Sequence, residues 1–263
     1  MRHFESNVFR TPDPQGDFRG RLIPHMAVKA YYDGSGKNAL AARAMTLSGV
    51  VAPEALWQRF EPLWEKVLVR NSVQCLHMTD LMAARGEFER GRGWTEEKRI
   101  QFIRDLFNAF GEFRTAGLRA YSCTVALDDY RRCKKEIANL RKPEDICVNF
   151  CVGGLQFTAE ELSEEKPIVL YFDRNEGFMN SIHQVWSKQR RRPKSWPKQI
   201  RSIATTNSAC FPIQAADLIA WIVNRRHIKG NDESYFHFAT FMMIEHFTIL
   251  YDYERIVQDY RNG

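Results

Sequence analysis

Apolar and aromatic residues fill positions 27–32 and again 44–51, and Asp33-Gly34-Ser35-Gly36 follows the first run. This predicts two strands of a hairpin-like unit whose loop exceeds a two-residue turn. After Pro53 and Glu54, the residues Leu56, Phe60, Leu63, Trp64 and Val67 recur at helical spacing, predicting a helix to about position 69. The stretch 74–81 shows no decisive period, the charged 85–92 reads as a surface loop, and Thr95 is placed to cap a helix ending near 110. A strand is expected at 118–127, with helices at 128–140 and 145–162. Behind Pro167 come five apolar residues and then Asp173, the pattern of a strand buried on both faces. A helix through Trp186, a strand at 200–205 and a strongly apolar helix at 212–226 follow, and the aromatic stretch 235–261 reads as one or two helices.

This succession predicts an α/β chain: a proline-containing arm at 1–24, then a single domain over 25–263 with helical insertions at about 82–115 and 231–263. The chain has 263 residues, 44% of them apolar and 27% charged, a globular profile that excludes collagen-like repeats, coiled coil and disorder. No run reaches the ~18 uncharged apolar residues of a membrane span, and the N-terminus lacks a signal-peptide apolar run, so a cytoplasmic protein with no membrane partner is expected. The six cysteines include no Cys-x-x-Cys pair, which argues against a zinc ribbon or a thioredoxin-type site.

The net charge is +6, and its distribution is local. Lys188, Arg190, Arg191, Arg192, Lys194, Lys198 and Arg201 lie in a stretch with no acidic residue, and without them 31 basic residues face 32 acidic ones. Trp186 and Trp196 stand within or beside this run, so charge for phosphates and a stacking surface for bases occur together. A solvated loop covering a helix end is the structural alternative.

Three aspartates stand out. Asp173 follows a buried strand, where ligands of open α/β sheets gather, and could instead cap the following helix. Asp33 ends a strand, on the side of Lys29 and Tyr31, and could instead be a turn residue. Asp217 sits in a helix with almost no polar face, so its carboxylate is desolvated and needs a partner: Gln214 one turn earlier, a basic side chain, or a divalent cation. In Leu76-His77-Met78-Thr79-Asp80-Leu81, His77 and Asp80 share a face if the segment is helical, and Thr79 or Asp80 is alternatively its N-cap. Carboxylates delivered from separate elements make an oxygen-only site suited to Mg²⁺ or Mn²⁺, and two such ions could clamp the oxygens of a phosphodiester.

Together Tyr32-Asp33-x-Ser35-Gly36, His77-x-x-Asp80, Phe172-Asp173-Arg174 and Gln214-Ala215-Ala216-Asp217-Leu218-Ile219-Ala220 resemble the bacterial domain-of-unknown-function family numbered 3800, over about residues 27–226. The resemblance implies a ribonuclease-H-like mixed sheet flanked by helices. It implies catalytic Asp33, Asp173, Asp217 and Asp80, with the first three holding two Mg²⁺ or Mn²⁺ ions. His77, Ser35, Gln214 and Arg174 would support them, and the basic run with Trp196 would bind DNA or RNA. The expected activity is nucleic-acid hydrolysis, possible in antiviral defence with a protein partner; the alternative is a catalytically weak binding subunit of a defence or DNA-processing complex. One departure is Gly34, where the family usually carries a glutamate.

Overall fold

The alternation in the first strand sets the architecture: Val28, Ala30 and Tyr32 join one apolar core, and Tyr31 joins the other. A sheet whose strands feed two cores must be covered on both faces. The computed structural model describes residues 27–36, 42–113, 116–155, 167–174, 177–190, 199–229 and 245–262. These form a six-stranded mixed sheet in the order β5-β4-β1-β2-β3-β6, flanked by helices. The strands are β1 (Val28–Ser35), β2 (Ala44–Pro53), β3 (Arg119–Ala126), β4 (Ile168–Asp173), β5 (Ile200–Thr206) and β6 (Glu245–Tyr251). β2 lies antiparallel between β1 and β3, and the other pairs are parallel, so every strand except β2 ends at the same edge of the sheet.

One face is covered by α1 (Glu54–Arg70), α2 (Met78–Ala83), α3 (Glu96–Gly111) and α7 (Phe211–Lys229). The other carries α4 (Leu127–Glu136), α5 (Pro143–Gly153), α6 (Met179–Arg190) and α8 (Tyr253–Asn262). Local chemistry accounts for several boundaries. Thr95 caps α3, its Oγ1 accepting the Lys98 N–H at 3.3 Å. Pro143 opens α5, where the missing N–H has no helical partner to lose. The stretch 86–92 forms two 3-10 turns that still bury Phe88 against Trp94 and Phe102.

Two expectations are corrected. Positions 245–251, read as helix, form edge strand β6: Phe247, Thr248 and Ile249 suit a strand, and parallel pairing with β3 decides the matter, so the C-terminal region is not wholly helical. β1 also runs past Tyr32 to Ser35, which places Asp33 inside the hydrogen-bonded ladder opposite Ser48 and removes the turn alternative. The turn comes at Gly36, whose φ of +81° and 2.1 Å approach of the Ala44 carbonyl to an added Cβ both demand glycine. The arm at 1–24 and the end of the helix expected at 145–162 lie outside the described residues. Among the described residues, no helix is long and apolar enough to cross a membrane.

Gly49 is set by packing. A Cβ there would lie 2.0 Å from the fully buried Tyr32 ring, which is stacked on Phe172 at 5.0 Å between centroids. Gly49→Ala is therefore expected to destabilise the fold by about 2–3 kcal/mol. Urea unfolding of both proteins checks this, and an unchanged midpoint would mean that Tyr32 repacks without penalty.

Candidate functional site

The register of the sheet draws a polar row across its α7-covered face. Asp173 pairs with Thr206, Asp33 with Ser48, Ser48 with Ser122, and Ser122 with Thr248. β1 and β4 pair in parallel through Tyr32 and Phe172, so Asp33 and Asp173 are the next neighbours, about 5 Å apart at strand spacing. The row therefore reads Thr206, Asp173, Asp33, Ser48, Ser122, Thr248, near the edge where five strands end. Two residues earlier on the same face, the row Ala204, Tyr171, Tyr31, Val50, Ala120 is mostly apolar. Ser35, the last residue of β1, pairs with Thr46 in the polar row that follows.

Hydroxyls in this region satisfy one another. Ser48 and Ser122 share a hydrogen bond of 2.6 Å, Thr46 and Thr124 one of 2.8 Å, and Ser122 shares a third with His246 Nε2 at 2.8 Å. Asn224 of α7 donates to Thr46 Oγ1 and to the Ala44 carbonyl, each at 3.1 Å.

α7 presents Gln214, Asp217 and Asn224 along one stripe, and the first two hold an extended strap that leads into α2. Asp217 Oδ2 accepts the Met78 N–H at 2.9 Å, and Gln214 Oε1 accepts the Leu76 N–H and the Trp64 indole N–H, both at 3.1 Å. Gln214 Nε2 donates to the Ser208 carbonyl at 3.1 Å and to Cys75 Sγ at 3.5 Å. Residues one helical turn apart thus catch backbone amides two residues apart on the strap. A carboxylate facing the first N–H of α2 is also favoured by the unpaired amides at that helix end.

The strap carries His77 and Asp80 to the same region. His77 is exposed and is itself the N-cap residue, which corrects the expectation that Thr79 or Asp80 capped the helix; Asp80 lies half-buried in the first turn. Cys75 reports on the local field. Burial is the largest cause of its thiol being pushed up to about 11, and Glu87, Asp217 and Asp173 add to it. Asp173 of the sheet and Asp217 of α7 therefore act on one point beside the strap. Arg174 is exposed beyond β4, its N–H donating to the Thr206 carbonyl at 2.8 Å.

Arg201 stands apart from the aspartates. It lies at the start of β5, five residues before Thr206 and so about 16 Å from the acidic row at strand rise. Lys188 and Arg190 lie in the last turn of α6. Arg191, Arg192, Lys194, Trp196 and Lys198 lie outside the described residues.

The carboxylates fit a hard divalent cation in kind, since Asp33 and Asp173 offer oxygen donors from adjoining strands of one face. Among the described residues, however, no group of three His, Cys, Asp or Glu side chains is arranged to hold a metal ion. Sequence reasoning missed Cys75, the Ser48–Ser122 pair and His246, whose stretch it read as helix. A Ser at matching alternate positions of 48 and 122 was the available signal. No family model matches the chain, and no curated protein matches it either.

Two predictions follow from these contacts. Gln214→Ala leaves the Trp64 and Leu76 N–H groups without their acceptor, and is expected to cost about 2–4 kcal/mol. Hydrogen exchange should accelerate at 75–78 more than elsewhere; a uniform change would separate Gln214 from the strap. Burial, assisted by Arg226, pushes His246 down to about 4. The unfolded chain takes up that proton near pH 6.5 and the folded one only near 4, so stability falls across that window as pH drops, by about 3 kcal/mol. Urea unfolding from pH 7 to 4 should show this loss in the native protein relative to His246→Gln, and parallel curves would contradict it.

Proposed function

We propose that the protein is a metal-dependent nuclease that hydrolyses phosphodiester bonds of nucleic acid. The observation that carries this reading is the neighbouring placement of Asp33 and Asp173 near the ends of two parallel strands, on the face crossed by the helix bearing Asp217. The mixed arrangement β3-β2-β1-β4-β5, with β2 alone reversed, supports the ribonuclease-H-like reading of the sequence.

In this reading Asp33 and Asp173 hold Mg²⁺ or Mn²⁺, and Asp217 and Asp80 complete the acidic environment from α7 and α2. A bound cation supplies charge neutralisation at the phosphoryl oxygens and an activated water. The chain's own residues do the positioning. The Gln214–Asp217 clamp holds the strap that carries His77 and Asp80, and the serine–threonine network fixes the strands beside Asp33.

A second reading, a nucleic-acid- or protein-binding subunit on the same fold, is favoured by one observation: the described carboxylates are not grouped in threes for a cation. A cleavage assay separates the two. Labelled single- and double-stranded DNA and RNA are incubated with Mg²⁺, Mn²⁺ or EDTA, beside Asp173→Asn. The nuclease reading expects cleavage that EDTA removes and that Asp173→Asn lowers by more than the about 10- to 100-fold cost of losing an outer-sphere partner. The variant should unfold at the same urea concentration as the native protein. Salt-sensitive binding without cleavage under either cation would transfer the conclusion to the binding subunit.

A further inference from the structure

A cleft of about 230 Å³ opens on the same face of the sheet, between α1 and the start of α7. Lys29, Tyr31, Glu61, Tyr171, Thr206, Cys210 and Phe211 line it. It adjoins the acidic row directly: Thr206 is the cross-strand partner of Asp173, and Tyr171 precedes Asp173 by two residues on one strand face, about 7 Å away.

Its floor is rigid. Tyr31 and Tyr171 stack at 4.8 Å between centroids and 14° between planes, and Trp57 packs edge-on against Tyr31 at 5.0 Å. Lys29 Nζ is held by Glu54 Oε1 at 2.7 Å, and the Trp57 indole N–H donates to the Lys29 carbonyl at 3.0 Å. Tyr31 is only 6% exposed and Tyr171 7%, yet neither hydroxyl hydrogen-bonds another described residue, nor does the Glu61 carboxyl. These groups open onto the cleft, where a ligand can replace the water that otherwise satisfies them.

The size and charge of the cleft narrow the ligand. Its volume is below the ~300 Å³ of ordinary ligand pockets, so it accepts one ring system rather than a whole nucleotide or a base pair. Two carboxylates, Glu54 and Glu61, face one lysine, which disfavours phosphate and favours a neutral group that donates hydrogen bonds. Phenol hydroxyls and a carboxyl on an aromatic floor, with Phe211 as a wall, match a heteroaromatic ring with an amino group on its edge. We propose that this cleft is a subsite for one unpaired nucleobase carrying an exocyclic amino group, adjacent to the phosphodiester held at Asp33 and Asp173. The inference rests on the nuclease reading and narrows its substrate to single strands or strand ends, because a base inside a duplex stack cannot enter.

The test is binding, measured by fluorescence polarisation with EDTA present so that no cleavage intervenes. The probes are short labelled DNA homopolymers of adenine, cytosine and thymine, with a duplex as competitor, against the native protein, Glu61→Gln and Tyr171→Phe. The native protein is expected to bind the adenine or cytosine strand about tenfold more tightly than thymine, the effect of one hydrogen bond in a desolvated cleft. Either variant should bring that ratio close to one, and the duplex should compete weakly. Equal binding of all three strands by all three proteins, or a duplex that competes as well as a single strand, overturns the subsite whatever the cleavage assay shows. Base-selective binding by a protein that cleaves nothing sustains the subsite and removes the nuclease reading alone.

Discussion

The hydroxyls buried at the centre of this sheet, on β2 and β3, are satisfied inside the protein, and that pairing organises much of the rest of the structure. Ser48, Ser122, Thr46 and Thr124 are fully buried in strands whose neighbouring positions are apolar. An unpaired hydroxyl there would cost about 1–3 kcal/mol. Cross-strand pairing satisfies them laterally, and Asn224 reaches them from α7. The same demand fixes register. A slip of one residue in β2 would turn Thr46 and Ser48 toward the core that holds Leu47 and Tyr32, and would bury them without partners.

This constraint also explains α7, which is apolar nearly all round as far as Val223 and turns Gln214 and Asn224 inward. Gln214 and Asn224 are 1% and 6% exposed, against the usual expectation that polar residues face water. Each meets backbone or hydroxyl groups that have no other use in regular secondary structure: the strap amides for Gln214, the Ala44 carbonyl and Thr46 for Asn224. Rotating the helix by one residue, about 100°, would break these contacts together. The orientation that places Asp217 over the strap is thus held by several bonds and not by Asp217 alone.

Much of the fold was legible because its signals are local. The apolar run before Asp173, the threonine cap of α3 and the proline starts of α1 and α7 depend on residues a few positions apart, and those elements lie where the pattern put them. β6 was not legible, since its identity comes from pairing with β3 more than a hundred residues earlier. The same division holds in the site. Asp33, Asp173 and Asp217 stood out as carboxylates in apolar surroundings, whereas the strap they address was silent. Asp217 and Gln214 bind backbone amides some 139 and 138 residues away, and a backbone amide leaves no mark on the sequence. His246 looked like one more residue in an aromatic stretch until pairing set it beside Ser122.

The register also decides what Gly34 means. β1 continues its ladder through Ser35, so position 34 pairs with Leu47 and faces the core opposite to Asp33. A glutamate at 34 in this strand would leave from the face opposite to Asp33 and would not point at the acidic row. Glycine there removes no ligand from the face that carries the aspartates. The oxygen donors of that face are set by neighbours in the row itself: carboxylates on β1 and β4, flanked by the hydroxyls of Thr206 and Ser48. A charged centre between hydroxyl-bearing strands, half-open to solvent and on the face that α7 crosses, is the arrangement on which the proposed chemistry of this sheet rests.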